Sequence, residues 1–154
     1  MTNKKRILLI YPPSPVMNRE DRCQQPTKDL IVIPPLPPTD LMYLAAVAEQ
    51  ENFEAKIEDY SQGGNLEKDL KEFKPDYLVV NIATPTLEHD LDAAKLAKEI
   101  NPNIVTIAKG AAFLTLGTKI LSEHDFLDFG ILGEAEATLK EILSEKEKSE
   151  ILGI

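Results

Sequence analysis

The sequence is poor in the residues that carry redox, metal and membrane chemistry. It has a single cysteine, Cys23, so it forms no internal disulfide, as is typical of proteins in a reducing cytoplasm. Its two histidines, His89 and His124, are too few and too scattered to predict a zinc site. No apolar run approaches a membrane span, and the apolar stretch at 7–10 is too short for a signal peptide. We therefore expect a cytoplasmic protein without a metal site built from its own side chains.

Positive charge is also scarce. The chain has 17 Lys and Arg against 26 Asp and Glu, which gives a net charge of −9. Surfaces that bind nucleic acid or anionic membranes need clustered Lys and Arg, so we expect neither partner. A length of 154 residues with 43% hydrophobic residues is typical of one globular domain with a substantial core.

Proline, in contrast, is concentrated in two segments, Tyr11–Pro15 and Pro34–Pro38. Because proline lacks an N–H donor and has a fixed φ, these segments are predicted to be stiff, extended rims rather than helix or central strand. Thr39 is predicted to cap the helix that follows, with Asp40 in its first turn. The segment 12–32 between the rims has no clear periodicity and is predicted to be a long loop.

The rest of the chain alternates short apolar runs with helical patterns. Five strands are predicted, at 7–10, 53–59, 77–82, 104–108 and 129–132. Five helices are predicted, at 39–51, 66–73, 87–100 and 115–122, with the last one opening at 133–136. Five strand–helix repeats indicate an α/β protein, a flavodoxin-like three-layer α/β/α sandwich with a five-stranded parallel sheet of order 2-1-3-4-5. The strand at 53–59 alternates in polarity, which predicts an edge position.

Ligands of such sheets bind beyond the carboxyl ends of the strands. The segments predicted there are Pro12–Pro13, Thr84–Thr86, Gly110–Phe113 and Gly133–Glu136. No Gly-x-Gly-x-x-Gly follows the first strand, which argues against dinucleotide binding, and the prolines remove the N–H groups that a phosphate needs. The acidic residues of a phospho-receiver site are missing as well. Small residues, hydroxyls and apolar rims suit a large, mostly uncharged cofactor.

Each of these features also has a purely structural explanation. Gly110 to Ala112 could serve only close strand–helix packing, since small residues are common in such turns. Thr84 or Thr86 could cap the next helix, and Glu134 and Glu136 could simply favour a helix dipole.

Taken together and in order, several segments resemble the amino-terminal cobalamin-binding domain of cobalamin-dependent radical SAM enzymes. These enzymes include the anaerobic magnesium-protoporphyrin monomethyl ester cyclases and many methyltransferases. The segments are Ile7–Pro13, Pro34–Ala46, Pro75–Val80, Lys109–Ala112 and Gly133–Glu136, and the resemblance extends from about Arg6 to Leu143.

The resemblance implies cobalamin lying across the carboxyl end of the sheet, with no catalytic residue and no metal ligand supplied by this chain. By position, the cofactor would be lined by Pro12, Pro13, Leu36, Thr84, Thr86, Gly110, Ala111, Ala112, Phe113, Gly133, Glu134, Ala135 and Glu136. The family usually has Gly-Gly-Pro-His at the fourth loop and Gly-Glu-Gly-Glu at the last, so this chain departs from both. The Asp-x-His-x-x-Gly signature is absent, and we expect no histidine on cobalt.

The resemblance also sets expectations for domain organisation. Residues 1–145 would be the cobalamin-binding domain and 146–154 a linker toward a radical SAM domain, the partner that would hold a 4Fe-4S cluster and S-adenosylmethionine. The Cys-x-x-x-Cys-x-x-Cys motif of that cluster is not in these residues. The chain alone is then a non-catalytic module. The alternative is a cofactor-free, flavodoxin-like interaction domain whose proline rims face a protein partner. A small hydrolase or transferase has little support, because no nucleophile–base pair is visible.

Overall fold

A computed structural model describes residues 4–13, 17–20, 23–26, 37–60 and 63–154. Five strands form the main sheet: β1 (Arg6–Tyr11), β4 (Glu54–Asp59), β5 (Tyr77–Asn81), β6 (Val105–Lys109) and β7 (Phe129–Ile131). A separate pair consists of β2 (Met17–Glu20) and β3 (Cys23–Pro26). The helices are α1 (Thr39–Gln50), α2 (Leu66–Phe73), α3 (Leu87–Ile100), α4 (Phe113–Glu123) and α5 (Ala135–Leu143), with short 3-10 turns at Thr84–Thr86 and Lys148–Glu150.

The main sheet is entirely parallel, with the order β4-β1-β5-β6-β7. Counted within this sheet, that is the order 2-1-3-4-5, so the predicted fold class is confirmed. Strand β4 lies at the edge, as its alternating polarity predicted, and β1 and β5 are buried along almost their whole length. The carboxyl ends of β1, β5, β6 and β7 therefore meet at one edge of the sheet.

Alternate residues of each strand supply two hydrophobic layers, because side chains point to opposite faces with a period of two. Leu8 and Ile10 of β1 belong to the layer covered by α2, α3 and α4. Ile7 and Leu9 belong to the layer covered by α1 and α5. Burial on both faces explains why β1 has no polar residue in its centre.

Two local predictions are wrong. The segment 12–32 is not a continuous loop, because β2 and β3 pair antiparallel within it. Its sequence has no apolar alternation, so the periodicity that identifies strands is missing there. Thr39 does not cap α1: it is the first helical residue, and Pro38 occupies the capping position without a side-chain bond.

Within the described residues, none of the helices combines the length and the apolar character needed to cross a lipid bilayer.

Candidate functional site

A cleft of about 360 Å³ lies at the carboxyl end of the sheet. Its walls come from the start of α1, the ends of β5 and β6, the turn into α4 and the turn into α5. The lining residues are Asp40, Leu44, Asn81, Lys109, Gly110, Ala111, Leu114, Gly133, Glu134, Ala135 and Glu136. A second cavity, of about 320 Å³, lies between α2 and α3 beside Pro75 and Ile104, at the amino ends of β5 and β6. Ligands of parallel sheets bind at the edge formed by the carboxyl ends of the strands, so the cleft at that edge is the candidate site.

The cleft brings together six of the residues predicted from the sequence: Gly110, Ala111, Gly133, Glu134, Ala135 and Glu136. The other described ones lie elsewhere. Ala112 and Phe113 are buried, Thr86 and Pro12 are buried, and Thr84 and Pro13 are exposed. Leu36 lies outside the described residues.

Gly110 and Gly133 both have positive φ, but their surroundings differ. At Gly110 (φ +138°) a Cβ would lie 2.0 Å from the carbonyl oxygen of Ile82, so only glycine allows the turn after β6 to cross the end of β5. At Gly133 (φ +76°) a Cβ would meet nothing within 4 Å. Gly110 is therefore required by backbone packing, whereas Gly133 leaves open space in the cleft wall.

Phe113 packs beneath the cleft rather than lining it. Its ring is buried at the start of α4, and a Cβ on Gly130 of β7 would lie 2.3 Å from the ring carbon Cε1. A glycine at position 130 thus creates the space in which the ring holds α4 against β7.

The hydroxyl of Thr86 is engaged within the protein. Thr86 Oγ1 donates to Asp90 Oδ2 at 2.8 Å, and the N–H of Ala83 donates to the same oxygen at 2.9 Å. Asp90 is completely buried in α3, and sequence reasoning missed it. A Thr followed four residues later by an Asp on a helix is the signal that could have indicated this pair.

An ion pair inside the cleft was also missed. Lys109 Nζ lies 2.5 Å from Asp40 Oδ2, and Tyr11 Oη donates to Asp40 Oδ1 at 2.6 Å. The side chains of Lys109 and Asp40 are only 13% and 16% exposed. The three residues connect the ends of β1 and β6 to the start of α1. A lysine that ends a buried strand at the ligand edge was the available signal, but its partner could be identified only in three dimensions.

The protonation state of Asp40 follows from this arrangement. Burial opposes ionisation, but the charge of Lys109 and the hydrogen bonds from Lys109 and Tyr11 outweigh it and hold the pKa of Asp40 below its ordinary value. The carboxylate is therefore ionised at neutral pH.

Two further carboxylates stand at the entrance to α5. Glu134 occupies the capping position without a side-chain capping bond, and Glu136 lies in the first turn. Both line the cleft, where a negative charge also suits the positive end of the helix. The helix-dipole explanation and a ligand-binding role are therefore compatible at these positions.

No group of three or more His, Cys, Asp or Glu residues able to hold a metal ion occurs in the described ranges. Neither histidine lines the cleft. His89 is exposed on α3, and His124 follows α4, where its ring centroid lies 5.2 Å from that of Phe126.

A family model described as "B12 binding domain" matches residues 34–143. The chain belongs to the B12-binding domain family. The matched residues include every lining residue of the cleft.

Two curated relatives of this B12-binding domain are much longer proteins. An uncharacterised methyltransferase of Pyrococcus horikoshii is 27% identical over an alignment of 143 positions, and the match covers 82% of this chain and 31% of that protein. The anaerobic magnesium-protoporphyrin IX monomethyl ester cyclase of Rubrivivax gelatinosus is 26% identical over an alignment of 114 positions, and the match covers 70% of this chain and 20% of that protein. The chain thus spans less than a third of the length of either.

Solved structures show the same fold. The radical S-adenosylmethionine methyltransferase TsrM of Kitasatospora setae matches 97% of this chain with 28% of its own, at a TM-score of 0.69 and 17% identity. A second TsrM structure, with cobalamin and a [4Fe-4S] cluster bound, has a TM-score of 0.67. A CheY-like receiver domain of Methanospirillum hungatei has a TM-score of 0.54 at 17% identity, with 96% and 99% of the two chains covered. The family model and the curated relatives confirm the resemblance found in the sequence.

Proposed function

We propose that this chain is the cobalamin-binding module of a radical SAM methyltransferase or oxidative cyclase and is not catalytic alone. The observation that carries the proposal is the cleft at the carboxyl end of the sheet, because it lies within the region matched by the B12-binding family. Such an edge is where parallel sheets of this order bind ligands.

The residues that line the cleft suit the shape and the polar groups of one part of a cobalamin molecule. Ala111 and Gly133 have little or no side chain, so the cleft wall stays open to a flat macrocycle. Asn81, Lys109 and Glu136 supply donors and acceptors for the amide groups on the rim of a corrin. Because a whole cobalamin is larger than the cleft, the remainder of the molecule would extend beyond it.

When bound, cobalamin would carry a methyl group or assist a radical step. The role of this chain is to bind and orient it. The Lys109–Asp40 pair is already formed in the structure, so those side chains need no rearrangement to present a fixed polar wall.

The proposed partner is the radical SAM domain of a longer parent chain, which would hold the 4Fe-4S cluster and S-adenosylmethionine. The chain covers only 31% and 20% of the lengths of its two curated relatives, which supports a second domain in the parent chain. Exposed apolar side chains at the same end also favour a covering partner: Leu114, which is 71% exposed, lines the cleft, and Leu132 is exposed beside Gly133.

The same apolar side chains favour the alternative, a cofactor-free interaction domain. The two functions differ in one measurable property, which is the binding of cobalamin by the purified protein.

The test is to mix the protein with hydroxocobalamin, remove free cofactor by gel filtration and record the visible spectrum of the protein peak. We expect retained cobalamin with a base-off spectrum and no sign of a histidine ligand. The Ala111→Trp variant fills the cleft and should lose most of the bound cofactor. The control is Ala46→Trp, which adds the same ring to an exposed position of α1 outside the cleft.

A colourless wild-type peak would count against the cofactor function of this chain. If Ala111→Trp retained as much cobalamin as wild type, the cleft would not be the binding site. Gly110→Trp is unsuitable, because its Cβ would collide with the backbone of Ile82 whatever the ligand.

A further inference from the structure

The last residues of the chain are packed onto the domain beside the cleft. Residues 148–154, here called the C-terminal clasp, begin with a 3-10 turn and run along β7 and α5. Ile151 is only 7% exposed and belongs to the same hydrophobic layer as Leu139 and Ile142 of α5. Most of the segment expected to be a linker is therefore in contact with the domain.

Polar contacts fix the register of the clasp. The N–H of Leu132 donates to the carbonyl oxygen of Gly153 at 2.8 Å, and Thr138 Oγ1 donates to the carbonyl oxygen of Leu152 at 2.7 Å. The N–H of Leu152 donates to Glu141 Oε2 at 2.9 Å. At the start of the clasp, Lys148 Nζ lies 4.6 Å from the ring centroid of Phe129.

These contacts bracket one wall of the cleft. Leu132 immediately precedes Gly133–Glu136, which line the cleft, and Thr138 follows them by two residues. Both flanks of the wall are thus hydrogen-bonded to adjacent clasp residues. Ala135 anchors the helical end of the wall in the hydrophobic layer of α5, but the wall turns through Gly133 at positive φ, where a Cβ would meet nothing within 4 Å, so packing does not hold the Gly133 end.

The fit around Gly153 is close. Its φ is +85°, and a Cβ there would lie 2.7 Å from Thr138 Oγ1. A larger residue at this position would push the clasp away from Thr138 and weaken both hydrogen bonds.

We propose that the C-terminal clasp is a positioning element for the cofactor cleft, which holds the Gly133–Glu136 wall in its binding shape. The inference rests on the proposed function for its ligand, but its structural part can be measured without cofactor. Thr138 and Gly153 act through the wall and are positioning residues.

The test compares Thr138→Val with wild type by amide hydrogen exchange of residues 132–136 and by spectral titration with hydroxocobalamin. Loss of one hydroxyl–carbonyl bond should speed exchange in the wall by about five- to tenfold and weaken cobalamin binding by roughly threefold or more. Gly153→Val should do the same to a larger extent.

The matched control is Thr106→Val. Thr106 is fully buried, and its hydroxyl lies within hydrogen-bond distance of the carbonyl oxygen of Phe126 and of Asp128, away from the cleft, so its loss removes at least as much bonding as the loss of the Thr138 hydroxyl. We expect Thr106→Val to lower the free energy of global unfolding. The amide exchange rates of residues 132–136, once corrected for global unfolding, and the affinity for cobalamin should both stay at their wild-type values. A residue that served stability alone would behave like this control.

Wild-type amide exchange rates at residues 132–136 in both Thr138→Val and Gly153→Val would show that the clasp does not hold the wall. Faster exchange with unchanged cobalamin affinity would overturn its positioning role. If wild type binds no cobalamin at all, the proposed function fails, and the exchange measurement alone decides whether the clasp holds the wall.

Discussion

At the scale of single residues, the Asp40–Lys109 pair is the clearest case in which local sequence and tertiary structure assign different roles. In the sequence, Asp40 is an acidic residue in the first turn of a helix, which the helix dipole explains. In the structure it accepts hydrogen bonds from Tyr11 and Lys109, which come from two strands. Its charge therefore matters to the cleft as well as to α1.

The Asp40→Asn variant keeps the side-chain size but removes the charge that faces Lys109. Because the pair is mostly buried, we expect the free energy of unfolding at neutral pH to fall by about 1–3 kcal/mol, measured by urea denaturation. The control is Glu72→Gln: Glu72 is exposed, 3.9 Å from Lys68, and its loss should change stability by less than about 0.5 kcal/mol.

The pH dependence of the stability difference between wild type and Asp40→Asn follows from the direction in which the pKa of Asp40 is shifted. The folded-state pKa of Asp40 is below its ordinary value of 3.8, so the carboxylate contributes stability above that value and loses it as the pH falls toward the folded pKa. The gap between wild type and Asp40→Asn should be constant near neutral pH and shrink below about pH 4. A gap that stays constant through this range would show that the charge of Asp40 contributes nothing.

At the scale of elements, the cleft depends on how α4 and α5 are seated on β7. Phe113 at the start of α4 fits into the space left by Gly130, and Gly117 of α4 also lies close to that ring, with a Cβ there 3.1 Å from Phe113 Cδ1. The start of α4, and with it the turn that carries Ala111, is therefore fixed by the packing of Phe113 beneath it.

Gly130→Ala tests this packing. The added methyl group would meet the buried Phe113 ring at 2.3 Å, and overpacking of this kind costs about 1–3 kcal/mol. We expect a loss of that size in urea denaturation. Combining it with Phe113→Leu should give a smaller total loss than the sum of the two single variants, because the smaller side chain leaves room for the methyl group. Additive losses would mean that the two residues do not share this space.

Hydrophobic periodicity predicted the strands and helices whose apolar side chains form the core. The buried runs at 7–10 and 77–82 and the helix over 87–100 were located because apolar side chains repeat at strand or helix spacing. The β2–β3 pair was missed because main-chain pairing needs no apolar pattern. The turn residues Gly110 and Gly133 were placed by fold topology, whereas the Asp40–Lys109 pair and the clasp join residues far apart in sequence, which no local pattern reveals.

At the scale of the whole molecule, the cleft wall, the clasp and the sheet share one hydrophobic layer, to which they contribute Ala135, Ile151 and Leu9. The Gly133–Glu136 wall connects β7 to α5, and α5 packs in the same hydrophobic layer as β1 and α1. A ligand that binds the folded cleft and not the unfolded chain must therefore stabilise the entire domain against unfolding.

Thermal unfolding with hydroxocobalamin measures this coupling. At about 100 times the dissociation constant, a ligand specific for the folded state adds about 2.7 kcal/mol of stability. For a domain of about 150 residues, that should raise Tm by roughly 5–10 °C, since each kcal/mol shifts Tm by about 2–4 °C. Ala46→Trp should keep the shift and Ala111→Trp should lose it, because only the second ring occupies the cleft. Binding that leaves the Tm of wild type unchanged would mean that cobalamin attaches equally well to the unfolded chain, and the cleft would then have no part in holding it.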